Sequence, residues 1–355
     1  GPFVFNVIDT TTFQISSDIR QIALMIILMR AGLNLKISDL KKVGPSALLM
    51  CFVPASFEIL GLMILAPIFL HLDLLNAAIL GTVLAAVSPA VVVPLMLKLM
   101  DEGYGTKEGI PQLIMAGASM DDVYVIVLFT SLLTLAKSGE FNALSLLRIP
   151  TSILFGIVSG IVLGYVLCKL YRLLKLSTEI ELACMFAVGM ALITIERMMT
   201  GAVGFSGLLA IMAMTSSVRH INPEMADTYS AVLAKLWQPA EIFLFALVGA
   251  SVRIDYAVSF GPVVLIVIIL ALLFRMLGVY LSVMKTKFNM KEKIFTMIAY
   301  IPKATVQAAI GGLALEAGLA SGELILTAAV TAILFTAPLG AIFISFTYRN
   351  FLQKA

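Results

Sequence analysis

Asp121 and Asp122 lie side by side in the middle of an apolar stretch, Leu113 to Ala136, that is long enough to cross a bilayer. One aspartate at the centre of a spanning helix costs roughly 2.5–3.5 kcal/mol on insertion scales. Two neighbours cost more, because like charges repel at close range. A chain keeps such a pair when the carboxylates face water or protein inside the membrane and bind something positive. The pair therefore predicts a cation or proton site at the membrane midplane.

The rest of the chain agrees with a membrane setting. Hydrophobic residues make up 61% of 355 and charged residues 13%, the composition of a polytopic membrane protein. The net charge of +3 says little, since the placement of charge matters more than its sum. Cys51, Cys168 and Cys184 all stand in apolar stretches with no metal-ligand spacing, so neither a disulfide nor a metal role is expected. The two histidines, His71 and His220, fall in loops, which argues against histidine chemistry. The chain opens Gly-Pro-Phe without Met or signal peptide, and residues before this start are expected to be missing.

Hydropathy predicts an all-α polytopic protein with about eleven spans, near 18–35, 44–70, 74–97, 111–136, 149–168, 179–196, 203–218, 231–252, 256–284, 294–317 and 322–347. With alternating sides, fifteen basic residues fall in one set of loops, among them Lys36, Lys41, Lys42, Lys175 and Lys285, and five in the other: Arg20, Lys137, Arg148, Arg197 and Arg253. The positive-inside rule then places the C-terminus in the cytoplasm, in a plasma or inner cell membrane. Arg30, Lys235, Arg275 and Lys303 remain inside spans, as do Glu58 and Glu241.

Two spans read as broken. The third contains Ser88-Pro89 and Pro94; the tenth contains Pro302-Lys303-Ala-Thr305 followed by Gly311-Gly312. Proline removes a backbone hydrogen bond, and in a membrane the freed carbonyls must face an ion, a cavity or another polar partner. Glu58 precedes Ser88 by 30 residues and Arg275 precedes Thr305 by 30. Each charge opens a three-span set, 44–136 or 256–347, that runs charged span, broken span, third span. The odd offset between the sets makes them inverted repeats, and paired broken helices in such repeats mark a transport site.

The strings Gly-Thr-Val-Leu-Ala-Ala-Val-Ser-Pro-Ala-Val-Val-Val-Pro (81–94), Ala-Gly-Ala-Ser-Met-Asp-Asp (116–122) and Ile-Pro-Lys-Ala-Thr-Val-Gln-Ala-Ala-Ile-Gly (301–311) resemble the monovalent cation/proton antiporter superfamily, most closely its NHA-type sodium/proton exchangers. The resemblance runs from about residue 40 to the end. It implies a sodium/proton antiporter-like fold, a homodimer, an elevator-like movement of a six-helix core, and two broken helices crossing near the aspartates. It also implies that Asp122 is the essential carrier and that an upstream helix precedes this chain. The expected division is an N-terminal segment and scaffold helix (1–43), a first core half (44–138), scaffold and dimerisation helices (139–253) and a second core half (254–355).

The candidate ion-binding residues are Asp122, Asp121, Ser88 and Thr305, holding Na⁺ or Li⁺ at Asp121 and Asp122. Asp121 and Asp122 stand about 100° apart on a helix, so only one can line the path directly. Ser88 and Thr305 offer oxygens that suit a hard cation, or else bond back to the preceding turn. Glu58, Arg275 and Lys303 are expected to serve as a core ion pair or charge balance, with Lys303 either neutralising helix-dipole ends or snorkelling. Pro89, Pro94 and Pro302 are the expected breaks. Relatives that carry net charge have lysine where Arg275 stands; arginine hardly releases its proton, which favours electroneutral exchange.

The leading expectation is secondary antiport of Na⁺ or Li⁺ for H⁺, with no cofactor and with monovalent cations, protons and the lipid bilayer as partners. A K⁺/H⁺ exchanger or a Na⁺-coupled symporter on the same fold is the alternative. An intramembrane aspartyl protease needs aspartates on separate helices around one water, which adjacent residues cannot supply. No filter-like repeat points to a channel, no phosphate-binding loop points to an ATP-driven pump, and no nucleic acid is expected.

Overall fold

The computed structural model describes residues 16–34, 45–138, 148–174, 176–199, 204–252 and 254–354. Lys36, Lys41, Lys42, Lys175 and Arg253, counted above for orientation, lie outside the described residues. The described residues form fourteen helices: α1 Ser16–Asn34, α2 Pro45–Met50, α3 Val53–Leu70, α4 Leu74–Leu84, α5 Pro89–Asp101, α6 Ile110–Ser138, α7 Arg148–Leu174, α8 Thr178–Met198, α9 Gly207–Ile221, α10 Pro223–Ser251, α11 Ile254–Val283, α12 Met290–Ala299, α13 Thr305–Glu316 and α14 Gly322–Phe351. Among these residues no strand occurs beyond one isolated antiparallel bridge, Tyr104 with Lys354.

Eight stretches are long and apolar enough to cross a membrane: Pro45–Leu70, Leu74–Asp101, Ile110–Lys137, Thr151–Leu174, Thr178–Glu196, Pro223–Ala250, Val258–Val283 and Gly322–Phe351. The other three of the eleven expected spans do not meet that measure, each for its own reason. Helix α1 carries Asp18, Arg20 and Arg30 within 19 residues. Helix α9 has only 15 residues. The tenth span is divided into α12 and α13 by the non-helical residues 301–304.

Two compact units share the chain. Among the described residues, the first falls within 45–126 and 248–354 and the second within 16–34 and 127–247. The boundaries fall within α6 and within α10.

The first unit repeats one pattern twice: a long helix, an interrupted helix, a long helix. These are α2/α3, α4/α5 and α6, then α11, α12/α13 and α14. Long helices α3 and α11 pack closely because glycines face the partner backbone. A methyl group built at Gly278 would lie 2.8 Å from Pro54 Cα. In the second unit, α7 packs closely on α9 by the same means: a methyl group at Gly160 would lie 2.3 Å from the Ala210 carbonyl.

The breaks follow from proline chemistry. Pro89 occupies the first position of α5, where its missing N–H costs nothing. The residue before a proline is pushed out of the helical region, and Ser88 is extended at φ −88° and ψ 107°. Residues 85–88 and 301–304 are both non-helical, and Pro302 sits in the second of these linkers. Pro94 departs from the expectation. It lies inside α5, which continues through it to Asp101, so it removes one hydrogen bond to the preceding turn and does not open the helix.

Candidate ion site

The two linkers meet inside the first unit, and side chains from α11, α13, α14 and the second linker itself satisfy their backbone. The Ser88 N–H donates to the Pro302 carbonyl at 2.8 Å. Lys303 N–H donates to Thr336 Oγ1 of α14 at 3.0 Å. Helix α4 ends at Leu84, and its carbonyl accepts from Lys303 Nζ. The Ala85 carbonyl accepts from Arg275 Nη1, the Ala86 carbonyl from Gln307 Nε2 at 2.7 Å, and Tyr300 O from Arg275 Nε at 2.8 Å. An open backbone at membrane depth persists only when its polar groups are met in this way.

Lys303 therefore does not snorkel. It is fully buried, places its ammonium at the carbonyl end of α4, where the helix dipole is negative, and pairs with Glu58 Oε1 at 2.7 Å. Arg275 Nη1 reaches Glu58 Oε2 at 2.9 Å, while Arg275 Nη2 reaches Asp121 Oδ2 at 2.7 Å. The same Asp121 oxygen accepts from Val87 N–H at 2.8 Å. Glu58 thus pairs with both cations, and Asp121 is held by a guanidinium and by the first linker.

Asp122 is different. It is 6% exposed, its Oδ1 is buried without a hydrogen-bond partner, and among the described residues it forms no salt bridge. Other buried side-chain oxygens without a hydrogen-bond partner lie in the same unit, among them Ser88 Oγ, Asp121 Oδ1, Gln307 Oε1 and Tyr300 Oη. Thr305 is buried as the first residue of α13. A set of carboxylate, hydroxyl and amide oxygens without nitrogen or sulfur ligands suits a hard cation. Among the described residues no group of three or more His, Cys, Asp or Glu side chains could hold a metal ion.

Sequence reasoning missed two residues. Tyr300 is fully buried beneath Arg275, whose guanidinium carbon lies 5.3 Å from the ring centroid. Gln307 holds the Ala86 carbonyl across the linkers. The signal for both was their place in the broken span, Tyr300 just before Ile-Pro and Gln307 just after Thr305, where a polar side chain must have a task. In the second unit Glu196 accepts from the first N–H of α9, that of Gly207, at 2.8 Å, which makes it a helix-end partner.

A carboxylate pair beside two crossed linkers in an inverted repeat defines an all-helical membrane protein of the sodium/proton antiporter fold. The solved structure of the sodium proton antiporter MjNhaP1 from Methanocaldococcus jannaschii at pH 8 matches with a TM-score of 0.83 at 19% identity, covering 98% of this chain and 88% of that one; at such identity the likeness bears on the fold. The chain belongs to the sodium/hydrogen exchanger family, whose transmembrane domain matches residues 1–349. Human sodium/hydrogen exchanger 9B2 is 35% identical over 355 residues, covering 96% of this chain and 65% of the relative. Human sodium/hydrogen exchanger 9B1 is 35% identical over 340 residues, covering 92% and 65%. The chain thus spans slightly less than two thirds of the length of these relatives.

Proposed function

We propose that this chain exchanges Na⁺ or Li⁺ for H⁺ across a membrane, with Asp122 as the group that binds either ion. One observation carries this reading. The buried charged cluster holds three carboxylates, Glu58, Asp121 and Asp122, against two cations, Arg275 and Lys303, and the unmatched carboxylate is Asp122. An uncompensated charge is costly to carry through a low-dielectric barrier. One Na⁺ or one proton neutralises Asp122, and either loaded form can cross while the bare carboxylate cannot. Competition for a single carboxylate yields one-for-one, electroneutral exchange.

All residues of the cluster lie in the first unit, which favours an elevator-like movement of that unit as a body. Resemblance to NHA-type exchangers supports a homodimer, and the basic loops support a cytoplasmic C-terminus in a plasma or inner cell membrane. The names of the relatives support Na⁺ as the cargo.

The test is exchange in proteoliposomes that trap a pH dye, with Na⁺, Li⁺ or K⁺ added in turn. Cation-driven alkalinisation by Na⁺ or Li⁺ that Asp122→Asn abolishes is expected. A response to K⁺ alone would move the reading to K⁺/H⁺ exchange. Normal exchange by the Asp122→Asn protein would sink the assignment.

A further inference from the structure

Tyr300 has a hydroxyl that the mechanism above does not use. Its side chain is fully buried, and Oη has no hydrogen-bond partner in the protein. A buried hydroxyl left in that state is destabilising, so one that persists in a native protein points to water, a ligand or a functional role at that atom.

The position of the hydroxyl is set by a glycine. A methyl group built at Gly117 would lie 2.1 Å from Tyr300 Oη, so any larger residue there would occupy the place of the oxygen. Gly117 precedes Asp121 by four residues on α6, one turn earlier on the same face. Cβ positions four apart stand about 5–6 Å from one another, and helical side chains lean towards the N-terminus. Asp121 therefore stands one turn after the glycine that Tyr300 Oη abuts, with its side chain leaning towards that turn. Its Oδ2 is bound to Arg275 and Val87 N–H, while its Oδ1 is buried without a partner. One unmatched donor and one unmatched acceptor thus lie about one turn of α6 from each other.

We propose that one buried water links Tyr300 Oη to Asp121 Oδ1, making Tyr300 a positioning residue for the ion site. A single water bridges atoms up to about 5–6 Å apart, twice a hydrogen-bond length, and requires at least two polar partners. The link completes the hold on Asp121: guanidinium and backbone N–H on Oδ2, water on Oδ1. Asp121 then stays fixed beside Arg275, and Asp122 alone cycles. Arg275 lies over the Tyr300 ring, Asp121, Asp122 and Cys51 are near enough to act on Tyr300 electrostatically, and Glu58 and Lys303 are one contact further through Arg275. This inference rests on the exchange reading for its consequences, but not for the water itself.

The experiment uses Tyr300→Phe. Phenylalanine keeps the ring under Arg275 and the backbone carbonyl that Arg275 Nε binds, so only the hydroxyl is removed. Without a donor on Oδ1, the ionised form of Asp121 loses one stabilising contact and protons compete better at the pair. Apparent KM for Na⁺ is expected to rise about tenfold, the scale of one hydrogen bond to a charged group, with the maximal rate within about twofold of the parent protein. The pH at which exchange falls off is expected to move upward. A pure packing role would change expression or thermal stability without moving the pH profile. Unchanged KM and pH profile would overturn the proposal. A second measurement needs no variant: an experimental map of the unmodified protein fine enough to show ordered water. Density within hydrogen-bond distance of both Oη and Asp121 Oδ1 supports the link, and a direct Tyr300–Asp121 bond or dry contact overturns it. If the unmodified protein exchanges no cation for protons, the functional reading fails, and the map alone decides the water.

Discussion

Arg275 Nη2 grips Asp121 Oδ2 at 2.7 Å and leaves its neighbour Asp122 without a salt bridge among the described residues. Adjacent residues on one helix point about 100° apart, so a guanidinium that approaches from α11 can reach only one of them. The two carboxylates are chemically identical in sequence and are divided by geometry into one that is held and one that is available.

Opposite outcomes are expected from neutralising each aspartate. Asp122→Asn should abolish exchange while leaving thermal stability near that of the parent protein, because no ion pair is broken. Asp121→Asn leaves Arg275 without part of its counter-charge, and losing a buried partner costs about 3–5 kcal/mol. It should therefore lower the unfolding temperature of the detergent-purified protein and weaken apparent ion affinity. Equal thermal stability for the two variants would contradict the division of roles.

Glu58 binds both buried cations, through Oε1 to Lys303 and Oε2 to Arg275. Glu58→Gln should destabilise by about 3–5 kcal/mol, since it strands positive charge in a dry interior. Lys303→Met placed in the Glu58→Gln background should recover part of that loss. A double-mutant cycle by chemical or thermal unfolding measures the coupling; a coupling energy near zero would show that the pair does not support the crossed linkers.

Exchange should depend on pH through competition at Asp122. On the proposed reading protons and Na⁺ compete for the same carboxylate, so apparent Na⁺ affinity is expected to weaken as pH falls and strengthen as it rises. Na⁺ titrations at several fixed pH values check the sign. An affinity that does not change with pH removes competition from the mechanism.

Charge balance gives a further check. If one carboxylate cycles, as proposed, and the arginine does not discharge, the transport rate should be indifferent to membrane potential. Rates measured at imposed positive, zero and negative potentials should coincide. A sustained current on Na⁺ addition would point to Lys303 or Asp121 as a second proton carrier.

Helix α14 braces the second linker through Gly340. A methyl group there would lie 2.5 Å from Pro302 Cγ, and a linker tied to Ser88 N–H and Thr336 Oγ1 has little room to retreat. Gly340→Ala should cost about 1–3 kcal/mol, as overpacking does, and should reduce exchange by displacing the linker carbonyls. Unchanged melting temperature and rate would show that the linker yields.

Much of this architecture is legible in the sequence for simple reasons. Apolar length announces the long spans, and Ser88-Pro89 and Ile301-Pro302 announce the breaks because proline cannot continue a helix ladder. The paired offsets of Glu58 to Ser88 and Arg275 to Thr305 announce the repeat. Pro94 was less legible, because the same residue that opens one helix is absorbed inside another when its carbonyl partner lies near a helix start. Helices α1 and α9 were expected as spans from hydropathy, yet in the structure one is charged and the other short, which is tolerated where the two helices cover each other.

The sequence by itself determined the membrane class, the intramembrane aspartate pair and the two interruptions, since each depends on local chemistry: burial cost, backbone hydrogen bonding and spacing along one helix. Only the tertiary structure decided which charge meets which. Glu58 and Arg275 are 217 residues apart and Glu58 and Lys303 are 245, and no local rule selects among buried partners separated so far along the chain. That Arg275 also takes Asp121, that Lys303 closes the end of α4, and that Tyr300 stands over Gly117 follow from the packing of α3, α6, α11 and the crossed linkers into one unit. Coulomb attraction in a low-dielectric interior is strong but acts only between groups that packing has brought within a few ångströms.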